Sequence, residues 1–190
     1  EEDLVEEVIR IYGYNNIPAL TPTSQDKMTA LPNNKKSIFS VKSVLGNLGY
    51  NEVVSYSFID KEIEERLHSN LDIIQLQNPI ASQMNVMRSK LWGSHIEALI
   101  YNLNRGQNHI RIFEIAPVYQ KINSDFKETL MLSGLVYGDA IPEQWSDKKR
   151  EVNFYDIKGD IEIISSNTLS IKAPKNIIPE IFHPGQAAEL

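Results

Sequence analysis

At 190 residues the chain has the length of one large domain, or of one domain with an appendage. With 42% apolar and 23% charged residues it can bury a core and is no disordered chain, and the lack of cysteine excludes a disulfide framework, a thiolate zinc site and a cysteine nucleophile. The net charge of −6 argues against a general nucleic-acid coat, although five of the 25 carboxylates fall in the first seven residues and the remainder is close to neutral.

In chain order, Leu4, Val5, Val8, Ile9, Ile11 and Tyr12 form a helical stripe over residues 4–12, with Gly13 as its C-terminal cap. Residues 14–34 hold Pro18, Pro22 and Pro32 among polar residues, which predicts an extended linker and a domain boundary. A helix is expected over 35–48, where Ile38, Val41, Leu45 and Leu48 make a narrow apolar seam suited to packing on another helix. Val54, Tyr56 and Phe58 alternate along a strand at 53–58; a short helix capped by Asp60 follows at 61–67, then a strand at 72–76.

Leu91, Trp92, Leu99, Ile100 and Leu103 predict a helix over 91–104, and strands are expected at 109–119 and 130–137. Asn153 caps a helix with Phe154, Ile157, Ile161 and Ile164 on one face; 169–171 and 177–181 are weaker strand candidates. Strands interrupted by helices at irregular intervals predict an α+β fold with a mixed or antiparallel sheet, not a doubly wound one. No apolar run approaches the ~20 residues of a membrane span and the acidic start is no signal peptide, so a cytoplasmic protein is expected. The chain starts without Met, inside a helical pattern, and ends without a stop signal; it reads as a segment of a longer polypeptide.

For chemistry, Asp3, Glu6 and Glu7 stand at i, i+3 and i+4, so a helix projects their carboxylates from one face. Hard oxygen donors of this kind suit Mg²⁺; the same spacing equally describes a solvated first turn favoured by the helix dipole, with Arg10 pairing to Glu6. His68, His95, His109 and His183 are dispersed and fall in no nucleophile or metal motif, and the nine glycines contain no G-x-G and no phosphate loop. Gly159 within a helical pattern predicts close approach of another backbone.

The run from Asp3 to Pro18 resembles the end of the small helix-turn-helix-like domain in the beta subunit of bacterial phenylalanine-tRNA ligases. Collinear similarities follow at Leu48 to Phe58, Asn78-Pro79 with Met87-Arg88-Ser89, Tyr101 to Arg105, Phe113-Glu114-Ile115, Phe154 to Asp160 and His183 to Ala187, so that nearly the whole chain is covered. The resemblance implies that residues 1–20 hold the last helix of that small domain, 21–34 a linker, and 35–190 a class II synthetase-like core domain truncated at its C-terminus. It also implies that the chemistry belongs to the alpha subunit. If 116–119 is the end of the class II motif 2 strand, Gln120 takes the position of the phosphate-binding Arg and Ile122 that of the acidic residue; a neutral amide does not replace a guanidinium fork, and the later motif needs a G-x-G that is absent.

By the same resemblance, Asp3, Glu6 and Glu7 are metal residues of a Mg²⁺ site shared with the alpha subunit and incomplete here, with no catalytic residue in this chain. The 38/41/45/48 seam would lie at a subunit interface, packing on its own sheet being equally open. The implied function is that of a non-catalytic assembly part of an α₂β₂ heterotetramer that attaches phenylalanine to its tRNA at the expense of ATP. Two alternatives stand beside it. One is an active class II synthetase-like enzyme. The other is a tRNA-binding module whose basic face would use Lys35, Lys36, Lys42, Arg105, Lys148, Lys149 and Arg150.

Overall fold

The computed structural model describes residues 1–21, 37–67, 73–122, 125–146, 148–166, 172, 182–183 and 187–189. It divides into two units, Glu1–Lys35 and Lys36–Leu190.

In the first unit, helix α1 spans Glu2–Tyr12 with its acidic residues in the first turn, where the helix dipole favours them. Gly13 ends it at φ +94, a left-handed conformation that suits a residue without Cβ, and its N–H donates to the Ile9 carbonyl. A 3₁₀ turn, Tyr14–Asn16, follows. No residue of α1 is buried, so its apolar stripe of Leu4, Val5, Val8 and Ile11 is open.

The second unit is α+β. Helix α2 (Ile38–Asn47) is capped by the Ser37 hydroxyl, which accepts from the Ser40 N–H. Then come β1 (Asn51–Glu52), β2 (Phe58–Ile59), α3 (Lys61–Leu67), β3 (Val86–Met87), α4 (Trp92–Leu103), β4 (His109–Ile122), β5 (Asp125–Gly138) and α5 (Phe154–Ser165). The main sheet has the order β1-β4-β5: β1 runs parallel to β4, and β4 and β5 pair antiparallel over 14 positions, from His109↔Gly138 to Ile122↔Asp125. Gly138 is required at its end, since φ is +87 and a Cβ would lie 1.8 Å from the Asn108 carbonyl oxygen. Strands β2 and β3 form a separate antiparallel pair.

Alternation along β4 gives the sheet two apolar faces. Phe113 packs with Leu45 and Tyr50, joined by Val41, Leu48, Ile115, Val136 and Ile164 from α2, the sheet and α5. Ala116 and Val118 pack with Leu91 and Met131 on the other face, at the start of α4. Three of the four α2 seam residues are therefore core, Leu45 at 3% exposed with Val41 and Leu48 packed beside it, while the fourth, Ile38, is open, as is Phe39.

Four expectations are corrected. Residues 53–57 form no strand: after the Val53 N–H bonds to the Phe113 carbonyl the chain leaves the sheet, because Ser55 turns inward to charged partners and puts Val54 and Tyr56 in solvent. The strand expected at 72–76 reduces to a single bridge, Gln75 with Val86, among the described residues. On α4 the inward residues are Gly93, Ser94 and His95, with Ile100 outside. A Cβ at Gly159 would meet nothing within 4 Å, so no backbone approaches it among the described residues, and nothing in the structure explains that glycine. The strand candidates at 169–171 and 177–181 lie outside the described residues.

Candidate functional site

Chemistry-bearing side chains gather at three places: under the sheet near β3, in a cleft above it, and along α1. Under the sheet, Glu114 falls in step with Ile112, Ala116 and Val118 and so points into an apolar interior, where an unpaired carboxylate would be costly. Arg88, which follows β3, answers it: its Nη1 donates to Glu114 Oε1 at 3.2 Å, to Ser55 Oγ at 2.7 Å and to the Tyr56 carbonyl at 3.3 Å, and its Nε donates to the Pro117 carbonyl at 3.1 Å. Ser55 Oγ donates in turn to Glu114 Oε2 at 2.6 Å and its N–H to Oε1 at 3.2 Å. Arg88 and Glu114 are 1% and 3% exposed. The next residue is pinned too, since Glu64, fully buried on α3, accepts from both the N–H and the hydroxyl of Ser89. These groups fasten a loop between α3 and the sheet and leave no charged group presented to a substrate.

His95 lies beside this cluster, 1% exposed, and neither ring nitrogen has a hydrogen-bond partner among the described residues. Burial, reinforced by Arg88, holds its pKa below the ordinary value; the nearby Ser133 backbone and Glu114 act in the opposite direction without reversing it. The imidazole is neutral.

Above the sheet, α2, α5 and β5 enclose an apolar cleft of about 470 Å³, lined by Val41, Leu45, Phe113, Val136, Ile157 and Ile161 among others. At its polar edge the Tyr50 hydroxyl and Arg111 Nη2 both donate to Asp160 Oδ2, at 2.8 and 2.7 Å. Burial first, and then Asp160, push the Tyr50 pKa well up, so that hydroxyl remains a neutral donor. The cap of α5 is a complete capping box, with Asp156 also paired to Arg150; that guanidinium, together with the Asn153 N–H, pulls the Asp156 pKa down to about 2.

The residues singled out in the sequence lie elsewhere. Gln120 is half-buried near the end of β4, opposite Lys127 in register, and Ile122 is partly exposed at the last pair. Asp3, Glu6 and Glu7 are exposed on α1; Arg10 pairs with Glu7, at 2.6 Å, and not with Glu6, because the i, i+3 geometry lets both Nε and Nη2 reach one carboxylate oxygen. No three His, Asp or Glu side chains among the described residues converge to hold a metal ion. These carboxylates are hard donors of the right kind for Mg²⁺, but alone they do not form its cage.

Of the cations of the supposed basic face, Lys42 pairs with Glu52, Lys149 with Asp139 and Arg150 with Asp156, while Arg105 stacks on Tyr101. Lys35 and Lys36 lie outside the described residues. Sequence reading missed the roles of Arg88, Glu114, Tyr50, Arg111 and Asp160. The signal for Glu114 was a charged residue at the inward position of an apolar strand; its partner, 26 residues away, carried none.

A family model described as the phenylalanyl tRNA synthetase beta chain CLM domain matches residues 17–190. Among curated proteins, the chain is 44% identical over 191 residues to the phenylalanine-tRNA ligase beta subunit of Chromobacterium violaceum and 45% identical over 192 residues to that of Neisseria meningitidis serogroup A. The matches take in all of this chain and 24% of each relative, so the chain spans about a quarter of their length. A solved pyrrolysyl tRNA synthetase of Desulfitobacterium hafniense aligns with 72% of this chain and 47% of its own at 17% identity, with a TM-score of 0.48, too slight a likeness to build on. Among the described residues no helix is long and apolar enough to cross a membrane.

Proposed function

Since the chain belongs to the phenylalanyl-tRNA synthetase beta-chain family, we propose that it is a non-catalytic structural and assembly segment of a phenylalanine-tRNA ligase beta subunit with a class II synthetase-like core. The whole protein then joins an alpha subunit in a cytoplasmic α₂β₂ heterotetramer that attaches phenylalanine to its tRNA at the expense of ATP, with the chemistry on the alpha subunit.

The observation that carries this reading is what the sheet does with its charged groups. Arg88 and Glu114 are consumed by each other and by Ser55 in the interior, and, if 116–119 is the end of the motif 2 strand, Gln120 offers an amide where phosphate binding calls for a guanidinium. Three cations of the tRNA-binding alternative, Lys42, Lys149 and Arg150, pair with carboxylates of the same chain, which counts against it. Purified chain is expected to show no phenylalanine-dependent pyrophosphate exchange, and the longer beta polypeptide to co-purify with an alpha subunit as an active complex. Exchange by this chain alone would overturn the reading.

Within it, Asp3, Glu6 and Glu7 supply part of the ligand set for a Mg²⁺ ion shared with the alpha subunit, completed by carboxylates outside α1. The Glu7–Arg10 pair competes with the metal for one donor. Calorimetric titration of this chain is expected to show only weak Mg²⁺ binding; a tight, stoichiometric isotherm would contradict an incomplete site.

A further inference from the structure

A second cleft, of about 300 Å³, is lined by Ser94, Glu97, Ala98 and Tyr101 of α4 together with Tyr56, Phe58 and Met84. Its walls are aromatic and its charge is negative. The Glu97 carboxylate has no hydrogen-bond or ion-pair partner among the described residues. Burial, followed by repulsion from Asp60, holds its pKa above the ordinary range. Lys61, next to Asp60 in sequence, pairs with Glu65, Lys90 lies over the Trp92 ring, and Arg105 lies on Tyr101.

We propose that this cleft receives the guanidinium or ammonium group of an arginine or lysine side chain presented by a partner protein. Tyrosine faces attract cations, and Tyr101 already does so within the chain, with the Arg105 guanidinium carbon 3.3 Å from its centroid. Tyr56 is 65% exposed, and with Glu97 it offers a second cation the same welcome plus a full opposite charge. Met84 gives the wall an adaptable surface. A protein side chain fits better than a free amine because Tyr56 and Tyr101, both lining the cleft, are 65% and 57% exposed, aromatic surface that is removed from water only by a larger body. The assignment stands on this cleft alone and does not depend on the synthetase reading.

The test is an NMR titration of the chain with acetyl-Leu-Arg-Leu-amide, with its citrulline counterpart of the same shape and no charge, and with putrescine. The arginine peptide is expected to shift the ring resonances of Tyr56 and Tyr101, the citrulline peptide to leave them in place, and Glu97→Gln to weaken arginine binding about tenfold, the loss of roughly one charge-assisted contact. Tyr56→Ala, at a solvent-exposed position, is expected to weaken it as well while leaving the fold intact. Equal shifts from citrulline, undiminished binding in Glu97→Gln, or no shift from the arginine peptide would overturn the assignment. Tighter binding of putrescine than of the peptide would overturn the choice of a protein side chain in favour of a free polyamine.

Discussion

Arg88→Leu is expected to destabilise the Lys36–Leu190 unit by about 3–5 kcal/mol, a large part of the stability of an ordinary domain. The reason is the charge left behind more than the bond lost. Glu114 would keep its place between Ile112 and Ala116, under 4% exposed, with Ser55 as its remaining partner. The Pro117 and Tyr56 carbonyls would lose their guanidinium donor as well. Urea unfolding followed by tryptophan fluorescence and circular dichroism measures the loss. The double variant Arg88→Leu with Glu114→Leu is expected to recover much of it, since removing both charges abolishes the uncompensated one. A double variant as unstable as the single would show that the site depends on polar geometry and not on charge balance.

His95→Leu should do the opposite and stabilise the domain by about 1–3 kcal/mol at neutral pH, because a side chain of similar size replaces two buried nitrogens that, the nearby Ser133 backbone notwithstanding, make no hydrogen bond of good geometry among the described residues. It should also change the response to acid. The pKa of His95 is lower folded than unfolded, so as pH falls the unfolded chain takes up a proton first, and stability present above the unfolded value near 6.5 is lost below it. The slope of that loss reaches at most about 1.4 kcal/mol per pH unit for one group. Stability curves of the two proteins between pH 7.5 and 5 should therefore diverge as pH falls. Parallel curves would mean that another group, not His95, sets the acid limit.

What was legible in the sequence was local. Gly13 ends α1, Asn153 caps α5, and the strands expected at 109–119 and 130–137 lie within β4 and β5, because propensity and cap chemistry act over a few positions. The α2 seam was visible as apolar spacing, but spacing alone did not say that it faces its own sheet; Tyr50 and Phe113 decide that, the latter 68 positions beyond Leu45. The stretch from Val53 to Phe58 misled because its alternation is that of a strand, while the fold turns Ser55 inward to Glu114 and Arg88 and leaves Val54 and Tyr56 exposed. Arg88 with Glu114 and Tyr50 with Asp160 are pairs brought together only by the fold, at separations of 26 and 110 residues, and no periodicity encodes them. The acidic face of α1 was correctly placed on one helix, yet its internal partner was Glu7 for Arg10, a choice between i−3 and i−4 that rotamers settle.

The measurement that bears most directly on a non-catalytic role is phenylalanine-dependent pyrophosphate exchange by the assembled alpha–beta complex carrying Gln120→Ala in the beta polypeptide. If residues 116–119 are the end of the strand that holds ATP in class II folds, Gln120, near the end of β4, takes the phosphate-binding position, and the proposed function predicts exchange within about twofold of the unaltered complex, at a site where removal of a working transition-state donor costs on the order of a hundredfold. A loss approaching a hundredfold, with assembly intact, would place nucleotide chemistry on this chain and contradict the account.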